Sequence, residues 1–199
     1  VVVLAPDSIC FEDRRRTKSG LEKDENKDWL QHYNEMCYRL VKGDTLMRKV
    51  LSDASLGVSL LSSHPAVDSS RMGTLGHSYG GNTVLFLAAL EERINFACSS
   101  GAACSYENKM SAGTGIEMAE VIPGFAEKFA ISDLVKCIAP RSLLLISATE
   151  DKYSKDANKV EEKGRKAYAA LGKPDKLEHK RFKGNHQLTE KRFDYIIDW

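Results

Sequence analysis

The sequence predicts an α/β fold in which a mainly parallel β-sheet carries helices on both faces. Short apolar runs rich in branched residues alternate along the chain with helical segments, which is the pattern of βαβ units. Several of these runs are almost continuously apolar, as strands buried on both faces are. The 199 residues, 42% of them hydrophobic and 29% charged, also suit one globular domain over residues 1–199.

The first elements predicted are a strand, a loop and two helices. Val1–Ala5 is β-branched and reads as a buried strand, and the charged stretch 12–27 reads as a loop. From Asp28, apolar residues at spacings of three and four predict a helix, and Gly43 and Asp44 are expected to end it and to cap a second. The apolar stripes expected to face the core are Trp29, Tyr33, Met36, Cys37, Leu40 and Val41 in the first helix, and Leu46, Met47, Val50, Leu51, Ala54, Val58 and Leu61 in the second.

The remaining elements alternate between strand and helix. The predicted strands cover residues 71–76, 94–99, 142–148 and 176–182, and the predicted helices cover 80–91, 155–171 and the chain from 188 onward. Between them, residues 101–131 are rich in glycine and irregular, with one short helix expected near Phe125. No internal repeat interrupts this order.

Composition argues against several classes of protein. The 29 basic and 28 acidic residues give a net charge of +1, which does not suit a nucleic-acid or anionic-membrane binder. No run of 18 apolar residues or signal peptide is found, so a cytoplasmic protein is expected. The five cysteines lack paired C-x-x-C spacing, which indicates reduced thiols and no metal site.

The motif with the clearest chemistry is Gly76-His77-Ser78-Tyr79-Gly80, a G-x-S-x-G pattern. Roughly one chain of this length in fifteen would contain it by chance, so its context matters more than the pattern. A strand before it and a helix after it predict a nucleophile elbow, in which the flanking glycines avoid clashes and Ser78 is the nucleophile. The backbone N–H of Tyr79 would then be one oxyanion donor. An ordinary glycine-rich turn is the alternative.

A serine nucleophile needs a base, and histidine is the usual one. His186 lies in the glycine-containing loop that follows the last strand, where functional loops of such sheets are found. His179 lies within that strand among charged residues and is expected at the surface. His77, inside the elbow, is expected to point away from the site.

The carboxylate that orients this base should follow a buried strand, at the edge where the crevice lies. Asp151 comes after strand 142–148 and is favoured, with Glu150 as the nearest rival and Asp133 as a distant one. We expect Asp151→Asn to be severe, because an amide can favour the wrong histidine tautomer, and Glu150→Gln to be mild. A solvated loop or a helix cap is the alternative for this pair.

Four segments together resemble the α/β-hydrolase superfamily over nearly the whole chain. They are Gly-His-Ser-Tyr-Gly-Gly-Asn at 76–82, Ile-Pro-Gly-Phe at 122–125, Ile-Ala-Pro-Arg-Ser-Leu-Leu-Leu-Ile-Ser-Ala-Thr-Glu-Asp at 138–151, and Asn-His before the closing Ile-Asp-Trp. More narrowly, the chain is similar to dienelactone-hydrolase-like esterases, including acetyl xylan esterase-like members. The order Ser78, Asp151, His186 matches that of the superfamily. The serine is a departure from true dienelactone hydrolases, which use a cysteine.

The resemblance implies a carboxylic ester hydrolase that works through an acyl-enzyme on Ser78. His186 would be general base and then acid, Asp151 would orient it, and no metal or organic cofactor is implied. A small-molecule or carbohydrate ester is the expected substrate. A peptidase, a thioesterase or a binding module without turnover remains an alternative.

Two expectations concern the parts around this site. Residues 101–131 are long for a connection and are expected to form a cap, with Tyr106, Met110, Met118 and Phe125 lining the substrate pocket. The alternative is a solvent-exposed excursion.

The resemblance also implies a further strand beside Val1–Ala5, whose loop normally supplies the second oxyanion donor. The chain is therefore expected to be N-terminally incomplete. We expect it to be weakly active on its own and to form homo-oligomers.

Overall fold

The computed structural model describes residues 1–15 and 25–199, which form two compact units. The first unit consists of Val1–Val67 and Glu117–Ile122, and the second consists of Asp68–Ile116 and Pro123–Trp199. Within the predicted loop 12–27, residues 16–24 lie outside the described residues. Glu12–Arg14 is a 3₁₀ turn.

The first unit contains two long helices, α1 (Glu25–Val41) and α2 (Leu46–Ser62). Helix α1 begins three residues earlier than predicted. Thr45, rather than Asp44, caps α2, because its hydroxyl accepts the backbone N–H of Arg48 at 3.1 Å. Leu46, Met47 and Val58 are the buried residues of α2, all within the predicted stripe.

The buried face of α1 is mostly polar, so the apolar stripe predicted for it is wrong in part: Met36 is buried, but Val41 is 88% exposed. Trp29 and Tyr33 are each 48% exposed, whereas Asp28, His32 and Glu35 are buried. Ion pairs make this burial possible: Arg15 Nε lies 2.8 Å from Asp28 Oδ2, and Arg39 Nη2 lies 2.7 Å from Glu35 Oε1. Helical spacing can indicate the Glu35–Arg39 pair, four residues apart within α1, but not the partner of Asp28, since Arg15 comes from outside the helix.

His32 of α1 is fully buried and charged near neutral pH. Its Nδ1 lies 3.0 Å from the Ile9 carbonyl oxygen, and its Nε2 lies 3.7 Å from Glu117 Oε1. Burial alone would lower the pKa of His32, but hydrogen bonds with Cys10 and Glu117 and the Glu117 charge raise it to about 9.

The predicted strand at Val1–Ala5 is wrong. These residues form no strand, and Val1, Val2, Val3 and Leu4 are all more than 40% exposed. β-Branched residues favour a strand only where a neighbouring strand supplies the ladder. Val1–Ala5 is not part of the sheet described below, so its β-branched residues have no strand of that sheet to pair with.

The second unit is built on a four-stranded parallel sheet in the order β1-β2-β3-β4. Its strands are β1 (Gly73–His77), β2 (Phe96–Ser100), β3 (Ser142–Ala148) and β4 (Leu177–Phe182). Its helices are α3 (Tyr79–Leu90), α4 (Tyr106–Ser111), α5 (Phe125–Lys128), α6 (Ile131–Ile138), α7 (Ala157–Ala170) and α8 (Glu190–Asp198). All four of these strands were predicted, with bounds within two residues.

Helices cover both faces of the sheet, as predicted. On one face, Cys98 of β2 and Leu144 and Ile146 of β3 form a buried cluster with Ile196 of α8. Side chains alternate between faces along a strand, so the next residue, Ser99, points the other way. Its hydroxyl donates to the Gly81 carbonyl of α3 at 2.9 Å. Because the strands are parallel, their carboxyl ends meet at one edge.

The segment 101–131 contains more regular structure than predicted. It includes α4 as well as the short helix α5 near Phe125, and α6 begins at its end. The start of α6 is set by Asp133, whose carboxylate accepts the Ala130 N–H at 2.7 Å.

No helix in the described part of the chain has the length and apolarity needed to cross a membrane.

Candidate active site

Ser78 lies at the sharp turn between β1 and α3. Its φ of 56° and ψ of −120° are strained for a residue with a side chain. A Cβ on Gly76 would lie 2.2 Å from the Gly80 oxygen, so the prediction that Gly76 must be glycine is confirmed. The same prediction for Gly80 is wrong, because a Cβ there meets nothing within 4 Å. Gly81 is the second constrained position, since its Cβ would lie 2.7 Å from the Ser100 oxygen.

His186 lies between Ser78 and Asp151. Its Nε2 is 2.7 Å from Ser78 Oγ, and its Nδ1 is 3.0 Å from Asp151 Oδ1. A carboxylate only accepts hydrogen bonds, so Nδ1 carries the proton and Nε2 accepts the Ser78 hydroxyl. Three residues separated by up to 108 positions are thus joined by two hydrogen bonds. The imidazole can take a proton from the hydroxyl in this arrangement.

Asp151 is buried and held in place by three donors. Besides His186, its Oδ1 accepts the Tyr153 backbone N–H at 2.9 Å, and its Oδ2 accepts the Ser154 hydroxyl at 2.6 Å. Burial alone would raise the pKa of Asp151, but the bonds from His186, Ser154 and Tyr153 outweigh burial and lower it. The carboxylate therefore stays ionised beside the imidazole.

The rival residues lie elsewhere. The Glu150 side chain is exposed, although its backbone N–H donates to the Gly184 carbonyl at 2.8 Å. Asp133 caps α6 and pairs with Lys136 at 2.8 Å. His179 is half-buried in β4, where its Nε2 is 2.7 Å from Ser147 Oγ. Neither rival carboxylate contacts His186.

Two rings flank the imidazole of His186. The ring of His77 is centred 4.8 Å away at 33°, and that of Tyr153 is centred 4.6 Å away at 52°. The expectation that His77 points away from the site is wrong. Burial, and after it the charge of His186, lowers the pKa of His77, whose Nδ1 is 2.9 Å from Ser100 Oγ. His77 is thus neutral at neutral pH.

Room for the rings of His77 and His186 comes from Gly101, directly after β2. It has a φ of 62°, and a Cβ there would lie 2.9 Å from His77 Cε1 and 3.1 Å from His186 Cε1. Glycine at this position therefore permits the positive φ and also leaves space for the two imidazole rings. Gly101, Tyr153 and Ser154 were not predicted as site residues, and only Gly101 carried a signal in the sequence, as a glycine directly after a strand.

Tyr79 is the first residue of α3, directly after Ser78. N–H groups in the first turn of a helix point towards its N-terminal end, where they favour negative charge. That position is the one required of an oxyanion donor, and the role of Tyr79 stays a prediction.

Tyr106 and Phe125 belong to an aromatic cluster. Their ring centroids are 5.6 Å apart, and Phe125 also packs at 5.5 Å on Phe86 of α3 and on Phe129. Both rings are partly exposed, Met110 is 68% exposed, and Met118 belongs to the first unit. Whether this segment caps a substrate stays a prediction. Of the described residues, no three His, Cys, Asp or Glu side chains are grouped to hold a metal ion.

Comparison with known proteins places the chain in a family. Residues 8–116 match the model of the acetyl xylan esterase (AXE1) family, which is more than half of the chain. The chain belongs to the acetyl xylan esterase family. The match includes Ser78 but ends before Asp151 and His186. A search of curated proteins finds no match.

Solved structures confirm the α/β-hydrolase fold of this acetyl xylan esterase family member. A glucuronoyl esterase from Solibacter usitatus superposes with a TM-score of 0.63 at 20% identity, over 74% of this chain and 46% of that one. The glucuronoyl esterase of Caldicellulosiruptor kristjansonii gives 0.61 at 19% identity, over 74% and 47%. The glucuronoyl esterase catalytic domain of Hypocrea jecorina gives 0.60 at 17%, over 73% and 48%. The chain thus spans about half the length of these structures.

Proposed function

We propose that this chain is a serine hydrolase that removes acyl groups, acetyl groups in particular, from carbohydrate esters. The observation that carries the proposal is the pair of hydrogen bonds by which His186 links Ser78 Oγ to Asp151. A hydroxyl is a poor nucleophile, and this arrangement provides what activates it: a base in contact and a buried carboxylate that orients the base.

In the first step, Ser78 Oγ attacks the ester carbonyl carbon while His186 Nε2 takes the hydroxyl proton. The oxyanion is stabilised by N–H groups at the start of α3, with Tyr79 as the proposed donor. His186 then returns the proton to the leaving alcohol oxygen, and the acyl group remains on Ser78. Asp151 stabilises the imidazolium during this step.

In the second step, water attacks the acyl-enzyme and His186 takes the proton of the water. Collapse of the tetrahedral intermediate breaks the bond to Ser78 Oγ, which recovers its proton, and releases the acid. These steps use only groups of this chain and water.

The substrate class is supported by the family model and the fold. The matching family is that of acetyl xylan esterases, and the similar structures carry names of carbohydrate esterases. Tyr106 and Phe125, with their partly exposed rings, are proposed to contact the acyl or alcohol group. The likeness to dienelactone-hydrolase-like esterases and the expected homo-oligomer stay predictions.

A fluorophosphonate probe and a panel of esters test this function. The parent protein should be labelled on Ser78, and Ser78→Ala should abolish labelling and lower kcat for 4-nitrophenyl acetate by roughly three to six orders of magnitude. Ser63→Ala, at an exposed serine, is the control and should match the parent. A Ser78→Ala protein that kept a tenth of the activity would refute the assignment.

The same panel compares ester, thioester and amide substrates of equal acyl length. Hydrolysis of acetylated xylan oligosaccharides in preference to acetyl thioesters and peptides is expected. Faster cleavage of the thioester or the peptide would replace the proposed substrate class and leave the role of Ser78 intact.

A further inference from the structure

His186 lies in a connection with no regular structure. Residues 183–189 join β4 to α8, and His186 and Gly184 are the only positions among them that are not exposed. Exposed loops are mobile unless something holds them, yet the imidazole must stay within hydrogen-bond distance of Ser78. A misplacement of about 1 Å can cost roughly a hundredfold in rate.

Arg192 of α8 contacts this connection on both sides of His186. Its Nη1 donates to the carbonyl oxygen of Asn185 at 2.8 Å and also to that of Gln187, while its Nη2 lies 3.4 Å from the carbonyl oxygen of Lys183. The planar guanidinium thus binds three alternate carbonyls of one loop. The guanidinium group of arginine has several N–H donors in fixed directions and can bind three carbonyls at once, whereas the compact ammonium group of lysine is less suited to do so.

The position of Arg192 is unfavourable for an arginine in two respects. The residue is only 3% exposed, and burial of a guanidinium ion is costly. It also lies in the first turn of α8, where the helix dipole disfavours a cation. Its hydrogen-bond partners in the described part of the chain are backbone carbonyls rather than a carboxylate. Contacts with the loop carbonyls and packing over the Phe182 ring at 5.8 Å offset these local costs.

We propose that Arg192 is a positioning residue for His186: it binds the loop carbonyls on either side and so holds the imidazole between Ser78 and Asp151. The proposal rests on the proposed function, since it assigns Arg192 to the same site. Arg192 itself touches neither substrate nor reacting atoms.

The activity test uses Arg192→Lys and Arg192→Ala, with Lys191→Met as control. Lys191 is exposed and adjacent, so its loss removes a neighbouring positive charge without touching the loop carbonyls. For 4-nitrophenyl acetate we expect kcat per active site to fall about 10-fold to 100-fold in both variants, with KM within about twofold. The control should match the parent, and guanidinium ion should restore part of the kcat of Arg192→Ala.

Active sites are counted by complete fluorophosphonate labelling, which separates positioning from folding. If Arg192 only stabilises the fold, the variants will show fewer active sites, each with the parent kcat, and the proposal is overturned. A rise in KM with kcat unchanged overturns it as well.

Amide hydrogen exchange tests whether Arg192 restrains the loop, and it does not depend on measuring enzyme activity. Amide exchange over 183–188 should accelerate in Arg192→Ala, while exchange in β3 stays at the parent rate. Unchanged exchange in the loop would refute the proposal. If the parent itself failed to label or to hydrolyse esters while loop exchange rose in the variant, the proposed function would fail and the contact of Arg192 with the loop would stand.

Discussion

Replacing Asp151 by asparagine should cost less than the sequence alone predicts. That expectation assumes that the amide turns its NH₂ group towards His186 and selects the wrong tautomer. The structure opposes this orientation. The oxygen that faces His186 also accepts the backbone N–H of Tyr153 at 2.9 Å, and a backbone donor cannot turn away.

The amide of Asp151→Asn therefore keeps its oxygen at the Oδ1 position. Its NH₂ group then faces Ser154 Oγ, which donates to Oδ2 at 2.6 Å in the parent and can accept instead by rotating its hydroxyl. His186 keeps its proton on Nδ1, and Nε2 stays available to Ser78. What is lost is the negative charge opposite the imidazolium.

That loss can be given a magnitude. A hydrogen bond to a charged group contributes roughly 1.5–3 kcal/mol and a neutral one roughly 0.5–1.5 kcal/mol. The difference and the Coulomb attraction at this distance come to about 1–3 kcal/mol, or about a 5-fold to 150-fold fall in kcat. Asp151→Ala, which also removes the orienting acceptor, should lower kcat by roughly three to four orders of magnitude.

The assay is steady-state hydrolysis of 4-nitrophenyl acetate, with active sites counted by fluorophosphonate labelling. Glu150→Gln is the matched control, because it neutralises an exposed carboxylate one residue away and should stay within about twofold of the parent. If Asp151→Asn and Asp151→Ala fell equally, by about ten-thousandfold, the amide would have turned over and the reasoning from Tyr153 would be wrong.

Three further predictions concern the elbow, the buried histidine and the aromatic cluster. Gly76→Ala should distort the elbow and lower kcat at least a hundredfold, because its Cβ would lie 2.2 Å from the oxygen of Gly80, whereas Gly80→Ala should stay within about fivefold. The charged form of His32 is favoured in the folded state, so its contribution is complete below pH 6.5 and is lost as the pH rises through about 9. Urea unfolding at pH 6 and pH 9.5 should show a decrease of about 3 kcal/mol in the free energy of unfolding that His32→Gln removes, and an equal decrease in both proteins would refute it. Tyr106→Ala and Phe125→Ala should change the ratio of acetyl to butyryl ester hydrolysis about threefold or more, and unchanged ratios would argue against a cap.

The strands of the sheet and the elbow could be predicted from the sequence. Both depend on short-range effects: Ser142–Ala148 is apolar on both faces, and Gly76 and Ser78 belong to one sharp turn whose sterics are local. The resemblance added the order of Ser78, Asp151 and His186 along the chain. The strands and the elbow can be predicted because residues that are neighbours in the sequence determine them.

The burial of polar groups and the contacts they make depend on the folded chain. Asp151 rather than Glu150 faces His186 because the strand edge turns one carboxylate inward, where Tyr153 and Ser154 bind it. The same dependence on distant residues explains why the polar face of α1 and the absence of a strand at Val1–Ala5 were not predicted. Burial of a charge, or pairing of a strand, depends on a partner supplied from elsewhere.

Arg192 shows this limit most clearly. Six residues beyond His186 and in the first turn of a helix, it has the sequence appearance of a surface charge. Only folding brings the carbonyls of 183, 185 and 187 around its guanidinium. Backbone carbonyls carry no signature in the amino-acid sequence, because every residue has one, so such a contact can be found only in three dimensions.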